Sequence, residues 1–400
     1  MKTAYIVDIL RTPVGKYGGT LASVRPDDLA AHAIKKLMER NPAIDPKLVE
    51  DVVFGAANQS GEDNRNVARM ALLLAGLPAE IGGVTVNRLC ASGLQAIMDA
   101  SRAIMLGEGE AYIAGGVESM SRAPFVMAKA DEAFARKAEV YDTTIGWRFI
   151  NSELSKLYHP YSMGETAENV AAKWKIGREA QDEFAFQSQR KYQQAHEAGK
   201  FKEELIAVPV SQGKGEILSF EKDEHPRVST IEKLATLKPA FREGGSVTAG
   251  NSSGINDGAA ASLMVSEDVL KRFNLKPLAR IVSVAVAGVD PAYMGVGPVP
   301  ATQKALKRAG LKINDLGLTE INEAFASQAL ASIRDLGINP EIVNVNGGSI
   351  AIGHPLGCSG VRISATLLHE MQKRKVKYGL ATMCIGVGQG AAIVYENLRS

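Results

Sequence analysis

Cysteine is scarce in this chain. Its 400 residues include three, at 90, 358 and 384, and none of them forms a CxxC pair. This argues against a disulfide scaffold or a cysteine-ligated zinc site and points to a reducing, cytoplasmic compartment. Long apolar runs are missing too. The longest, around Met70–Leu77, is interrupted by Gly76 and Pro78, short of the roughly 18 residues of a spanning helix. The opening MKTAYIVDILRTPVG has Asp8 and Arg11 where a secretory signal would be apolar, and reads as a first strand. Nor is there an excess of one charge: 46 Lys and Arg against 44 Asp and Glu give +2. That balance argues against nucleic acid as the main partner, while leaving room for a local basic pocket around one phosphorylated ligand. What is present is ordinary globular composition, 46% hydrophobic and 22% charged. The length suggests more than one lobe.

Two stretches of the chain repeat the same order of elements. The strand-like AYIVDIL (4–10) has a counterpart in ARIVSVA (279–285). Leu29, Ala33 and Leu37 mark one face of a helix from Asp27 to Arg40, and a weaker helix runs from Pro300 to Ala309. VTVN (84–87) matches VNVN (343–346), each followed by a turn and a helix with a clear apolar stripe. Each of those helices leads into a strand, AYIAG (111–115) or YGLATMC (378–384). Alternating strands and helices predict α/β layers built as two duplicated halves, with two helix N-termini meeting in one region. Between the halves, about 121–245, the texture changes: both tryptophans and three of the six histidines sit there. Met163–Ile176 and Arg178–Gly199 read as amphipathic helices, and 142–161 and 211–238 as long loops. Such an insertion covers a site or serves an oligomer interface.

Cys90, in NRLCASGLQA, falls at a strand-to-helix turn. A helix N-terminus there is expected to lower its thiol pKa from about 8.5 and make it a nucleophile; the alternative is a buried structural cysteine. His354 stands in the glycine-dense NGGSIAIGHPLGCSG, as a proton carrier beside a ligand or as a hydrogen-bonded core histidine. Cys384 ends the strand ATMC; the GVGQG that follows fails as a dinucleotide fingerprint because a strand, not a helix, comes after it. Cys358 is expected to pack as a small apolar side chain. Asn322 and Glu323 follow the strand LTEI, where open α/β sheets bind ligands, or else they cap a helix. SVTAGNSSGINDGAAAS (246–262) is a small-residue loop that either offers backbone N–H groups to a ligand or forms a tight turn. No HExxH, P-loop or paired-carboxylate signature appears, and no metal site is expected.

Five ordered blocks resemble the thiolase family, the acyl-CoA C-acyltransferases: NRLCASG, TAGNSSGINDGAA (248–260), NEAFA (322–326), GGSIAIGHPLG (347–357) and GLATMCIGVGQG (379–390). The resemblance covers essentially the whole chain. It implies the duplicated α/β thiolase fold, five layers in the order αβαβα, with a loop domain inserted in the first half. The divisions expected are an N-terminal core at 1–120, a CoA-binding loop domain at 121–245, the rest of the first half at 246–275 and a C-terminal half at 276–400.

The resemblance also implies roles. Cys90 would carry the acyl group, His354 would activate it, and Cys384 would be the second acid/base. His354 with a water held by Asn322 would form one oxyanion hole, and the N–H groups of Cys90 and Gly386 the other. CoA contacts would come from Ser253, Ala249, Phe325, Leu154 and Met163, with Arg227 as a phosphate partner. Many family members have His before the residue matching Met163, whereas Ser162 stands here. CoA and its thioesters would be substrates, with no permanently bound cofactor, in a homodimer or homotetramer. AGGVESMSRAPFVM and YDTTIGWRFIN look most like 3-oxoadipyl-CoA thiolases. A dicarboxylic acyl group would want a cation, and Arg148 and Arg65 are the candidates. Rival readings are an acetoacetyl-CoA thiolase running condensation, a Cys–His thioester hydrolase and a non-catalytic acyl-CoA binder.

Overall fold

The computed structural model describes residues 2–398. The repeat seen in the sequence is a repeat of strand pairings. In the first half, strand Val49–Gly55 pairs in parallel with Ala111–Ser119, which pairs antiparallel with Asn256–Ser266, which pairs antiparallel with Ala4–Arg11. In the second half Leu318–Ile321, Tyr378–Ile385, Gln389–Glu396 and Ala279–Gly288 repeat those pairings in the same order. Both first strands even slip register at the same place, between Ile6 and Asp8 and between Ile281 and Ser283. Such a bulge bends and twists a strand. The halves join where Tyr5 and Ile6 meet Arg280 and Ala279.

Helices fill the remaining layers. Pro26–Arg40 and Val67–Leu74 pack their apolar faces on the outside of the first half, around Leu29, Leu37, Phe54 and Leu72. Pro298–Ala309 and Ala326–Leu336 do the same for the second, around Leu306 and Ile333. Between the two halves of this one large sheet lie Ser92–Leu106 and Leu356–Arg374, whose Leu94, Ile97, Met98, Leu367 and Leu368 form one core with both halves. This is the five-layer αβαβα order. The two central helices approach backbone to backbone: a Cβ on Gly360 would lie 2.1 Å from the Leu94 nitrogen, so only glycine fits.

From 121 to 255 no strand joins the large sheet. Helices Met163–Lys173 and Arg178–Glu197 match the expected amphipathic pair, stopping early where Lys175 (φ 52°) and Gly199 (φ 67°) turn left-handed. The expected loops are partly structured, which corrects the sequence reading. Ser152–Leu157 is a helix turn within 142–161. Val208–Gly213 and Glu216–Phe220 form a hairpin, and Ile231–Ala235 a short helix, within or overlapping 211–238. The second hairpin strand is exposed except at Phe220, so no alternation of apolar and polar residues announces it. The insertion is fastened to the core through Arg11. This fully buried arginine holds Glu204 at 2.6 Å and Asp223 at 2.6 Å. Among the described residues, no helix is long and apolar enough to cross a membrane.

Candidate active site

Two backbone turns with unfavourable geometry frame the site. Leu89, just before Cys90, has φ 46°, and Val387, just after Gly386, has φ 61°. A side chain in this left-handed region costs about 1–2 kcal/mol, and such strain collects where a group must be aimed. Here it brings the N–H groups of Gly386 and Cys90 onto the Cys90 sulfur. Arg88 ties the turns together across the two halves, donating to Gln95 Oε1 at 2.7 Å and to Gln389 Oε1 at 2.9 Å.

Cys90 is partly exposed to a cavity of about 400 Å³, lined also by Leu89, Glu118, Trp147, Arg148, Met163, Leu356 and Gly386. The lowered thiol pKa expected from the helix N-terminus is not found. Burial pushes it up to about 11; the two N–H groups pull the other way, and the Glu118 charge raises it further. The thiol at rest is therefore protonated.

His354 stands two residues before Leu356 and is buried. Its backbone N–H donates to Asn256 Oδ1 at 2.9 Å. The Ser359 hydroxyl donates to the Pro355 carbonyl at 2.7 Å, so toward His354 Nδ1, 2.6 Å away, its oxygen must accept. That fixes the proton on Nδ1 and leaves Nε2 with its lone pair, 3.3 Å from the Asn322 amide nitrogen. Burial, helped by the Arg362 charge, lowers the imidazole pKa to about 3. It is a neutral base. Cys384 is fully buried, and its thiol is pushed well up by burial and then by the Cys90 charge. It packs with Phe325, Met163, Ala167, Val247 and Met294.

The other expected ligand residues divide into groups. Met163 and Arg148 line the Cys90 cavity, whereas Arg65 lies outside its lining. Leu154 lines an adjoining hollow of about 310 Å³ that shares Trp147 and Val387 with it. Ser253 donates its N–H to the Ala324 carbonyl at 3.0 Å, setting the small-residue loop against Phe325. Arg227 donates to the Ala249 carbonyl at 3.2 Å. Ser162 caps helix Met163–Lys173 in a capping box with Glu165, a local role for the residue that departs from the family pattern.

The family models decide the larger question. Residues 4–268 match "Thiolase, N-terminal domain" and residues 275–397 "Thiolase, C-terminal domain". The chain belongs to the thiolase family. It is 54% identical to the 3-oxoadipyl-CoA/3-oxo-5,6-dehydrosuberyl-CoA thiolase of Escherichia coli (strain K12), over 100% of both chains. A beta-ketoadipyl-CoA thiolase of Pseudomonas aeruginosa is 53% identical over 99% of this thiolase and 100% of its own length. The crystal structure of the Bacillus anthracis acetyl-CoA acetyltransferase superposes with TM-score 0.93 at 41% identity, over 100% of this chain and 99% of that one.

Sequence reasoning passed over three residues of this thiolase's site. Glu118 accepts N–H groups from Ala57, Asn58 and Gly357 at 3.0, 3.0 and 2.8 Å, and burial raises its pKa to about 7. Its signal was available: it is the one charged residue in a strand buried from end to end. Ser359 sets the histidine tautomer, and Arg362 lies buried on the apolar central helix, again a charge where none is expected.

Proposed function

We propose that this thiolase cleaves 3-oxoadipyl-CoA with CoA, giving acetyl-CoA and succinyl-CoA through an acyl group on Cys90. Cys90 attacks the 3-keto carbonyl while His354 Nε2 takes the thiol proton, so that no stored thiolate is needed. The oxyanion is met by the N–H groups of Cys90 and Gly386. Breaking the C2–C3 bond leaves the enolate of acetyl-CoA. Its oxygen meets His354, now carrying a proton on Nε2, and the Asn322 amide, directly or through water. Two donors facing each other need an acceptor between them, and the enolate oxygen is one. Cys384 gives its proton to the enolate carbon. Cys384 recovers a proton from His354, which is then neutral again. CoA attacks the succinyl thioester of Cys90 as His354 takes the CoA thiol proton, and His354 returns that proton to the Cys90 thiolate as succinyl-CoA leaves. In this reading Ser253, Ala249, Phe325, Leu154, Met163 and Arg227 hold CoA, and 121–245 is the inserted loop domain over it. The enzyme works in the cytoplasm as a homodimer or homotetramer.

The observation that carries the substrate is Arg148. It lines the cavity into which Cys90 opens, and among the described residues it has no hydrogen-bond or ion-pair partner. A guanidinium so placed complements the distal carboxylate of a dicarboxylic acyl chain. The substrates named for the relatives agree. A hydrolase reading would leave buried Cys384 without a task.

The test has two parts. Enzyme quenched with 3-oxoadipyl-CoA in the absence of CoA should carry a succinyl group on the peptide containing Cys90. Arg148→Met should lower kcat/KM for 3-oxoadipyl-CoA by about ten- to a hundredfold, the worth of one charge-assisted hydrogen bond, and leave acetoacetyl-CoA little changed. A wild-type preference of tenfold or more for a long 3-ketoacyl-CoA would sink the dicarboxylate assignment.

A further inference from the structure

A chain of hydrogen bonds runs from a buried arginine to the catalytic histidine, and each link has only one possible direction. The Arg362 guanidinium, fully buried, donates through Nη2 to Ser349 Oγ. A guanidinium can only donate, so the serine oxygen accepts there and its single proton must point elsewhere. It points to Asn322 Oδ1, 2.6 Å away. With its oxygen so engaged, the Asn322 amide cannot flip, and its NH₂ faces His354 Nε2 at 3.3 Å.

Two further features show that this chain does more than fill space. Among the described residues, Arg362 Nε and Nη1 have no hydrogen-bond partner, and Glu320 approaches Nη1 only to 3.9 Å. A buried guanidinium with a single hydrogen bond makes that bond strongly directional. The backbone carrying Ser349 is meanwhile held by other groups: the Gly348 N–H donates to Ser188 Oγ at 3.1 Å and the Ile350 N–H to Glu323 Oε2 at 3.1 Å. The Ser349 hydroxyl is thus free of the task of anchoring its own loop.

We propose that Arg362 and Ser349 are positioning residues that lock the Asn322 amide with its NH₂ toward the enolate oxygen, and so serve carbon–carbon bond chemistry but not acyl transfer to Cys90. The inference rests on the thiolase reading above, in which Asn322 serves the enolate and the N–H groups of Cys90 and Gly386 serve the acyl thioester.

Ser349→Ala separates the two kinds of step. Thiolysis of 3-oxoadipyl-CoA should lose about tenfold in kcat, the worth of one hydrogen bond, with KM kept within about twofold. Exchange of label between acetyl-CoA and free CoA, which passes only through acyl-Cys90, should stay within about twofold of wild type. In an Asn322→Ala background, adding Ser349→Ala should cost nothing more, because the serine acts through that amide. Exchange falling in step with thiolysis, thiolysis unchanged, or a full further loss in the double variant would each overturn the proposal. If Ser349→Ala does not fold, Ser349→Cys, whose thiol fills the same place but is only a weak donor to the Asn322 oxygen, should give the same selective loss. Wild-type enzyme lacking both thiolysis and exchange would instead overturn the thiolase reading itself.

Discussion

The two strand-to-helix turns at the centre of the molecule occupy equivalent places in the two halves and differ in burial. In the first half, strand Gly82–Val86 pairs along its whole length with Val49–Gly55 and stays largely open on its outer side. Its turn leaves Cys90 partly exposed to the cavity. In the second half the matching segment keeps a single bridge, Val343 to Thr319, and the glycine-rich loop beyond it lies under helix Arg178–Glu197, with Gly347 against Ser188 and Tyr192. His354, at the end of that loop, is buried. In the proposed mechanism, one duplicated turn is where substrate arrives and the other is where a base is kept uncharged. Burial drives both groups toward neutrality, thiol up and imidazole down.

Substitutions can break this division of labour. The largest effect belongs to the exposed turn. Cys90→Ala should lower turnover by about 10⁴-fold or more with an unchanged melting temperature, read by steady-state assay beside thermal unfolding. Cys384→Ala should cost thiolysis about 10²–10⁴-fold, the range for a lost general acid, yet still let acetyl-CoA label Cys90. Equal loss of both steps would give the two cysteines one shared role. The mildest probe is pH. Below its pKa of about 11 the Cys90 thiolate fraction grows with pH, so alkylation by iodoacetamide should speed up about tenfold per unit from pH 7 to 10. A plateau near neutrality would mean a standing thiolate–imidazolium pair, and the picture of two neutral groups would fail.

Much of this was legible before the structure. Apolar periodicity located the repeat, because helices that pack on one face need a 3.6-residue stripe and buried strands need continuous apolar runs. The turns at Cys90 and His354 stood out by their small residues. The thiol pKa differs from expectation because a helix terminus can be seen in a sequence, whereas the burial that outweighs it exists only once the chain has folded around the sulfur, with the Glu118 charge adding to it. Ser349 and Arg362 escaped notice for a similar reason. Nothing in their neighbours announces a chain of donors through Asn322, since it forms only when the central helix lies beneath the glycine-rich loop. The exposed hairpin near Phe220 lacked any pattern to read.

Arg11 carries one last consequence. Its guanidinium sits in the first strand of the core, while both carboxylates that neutralise it, Glu204 and Asp223, come from the inserted region. Trimming that region to make a smaller enzyme would strand a positive charge in the interior, so any minimal version must exchange the arginine for an apolar residue in the same step.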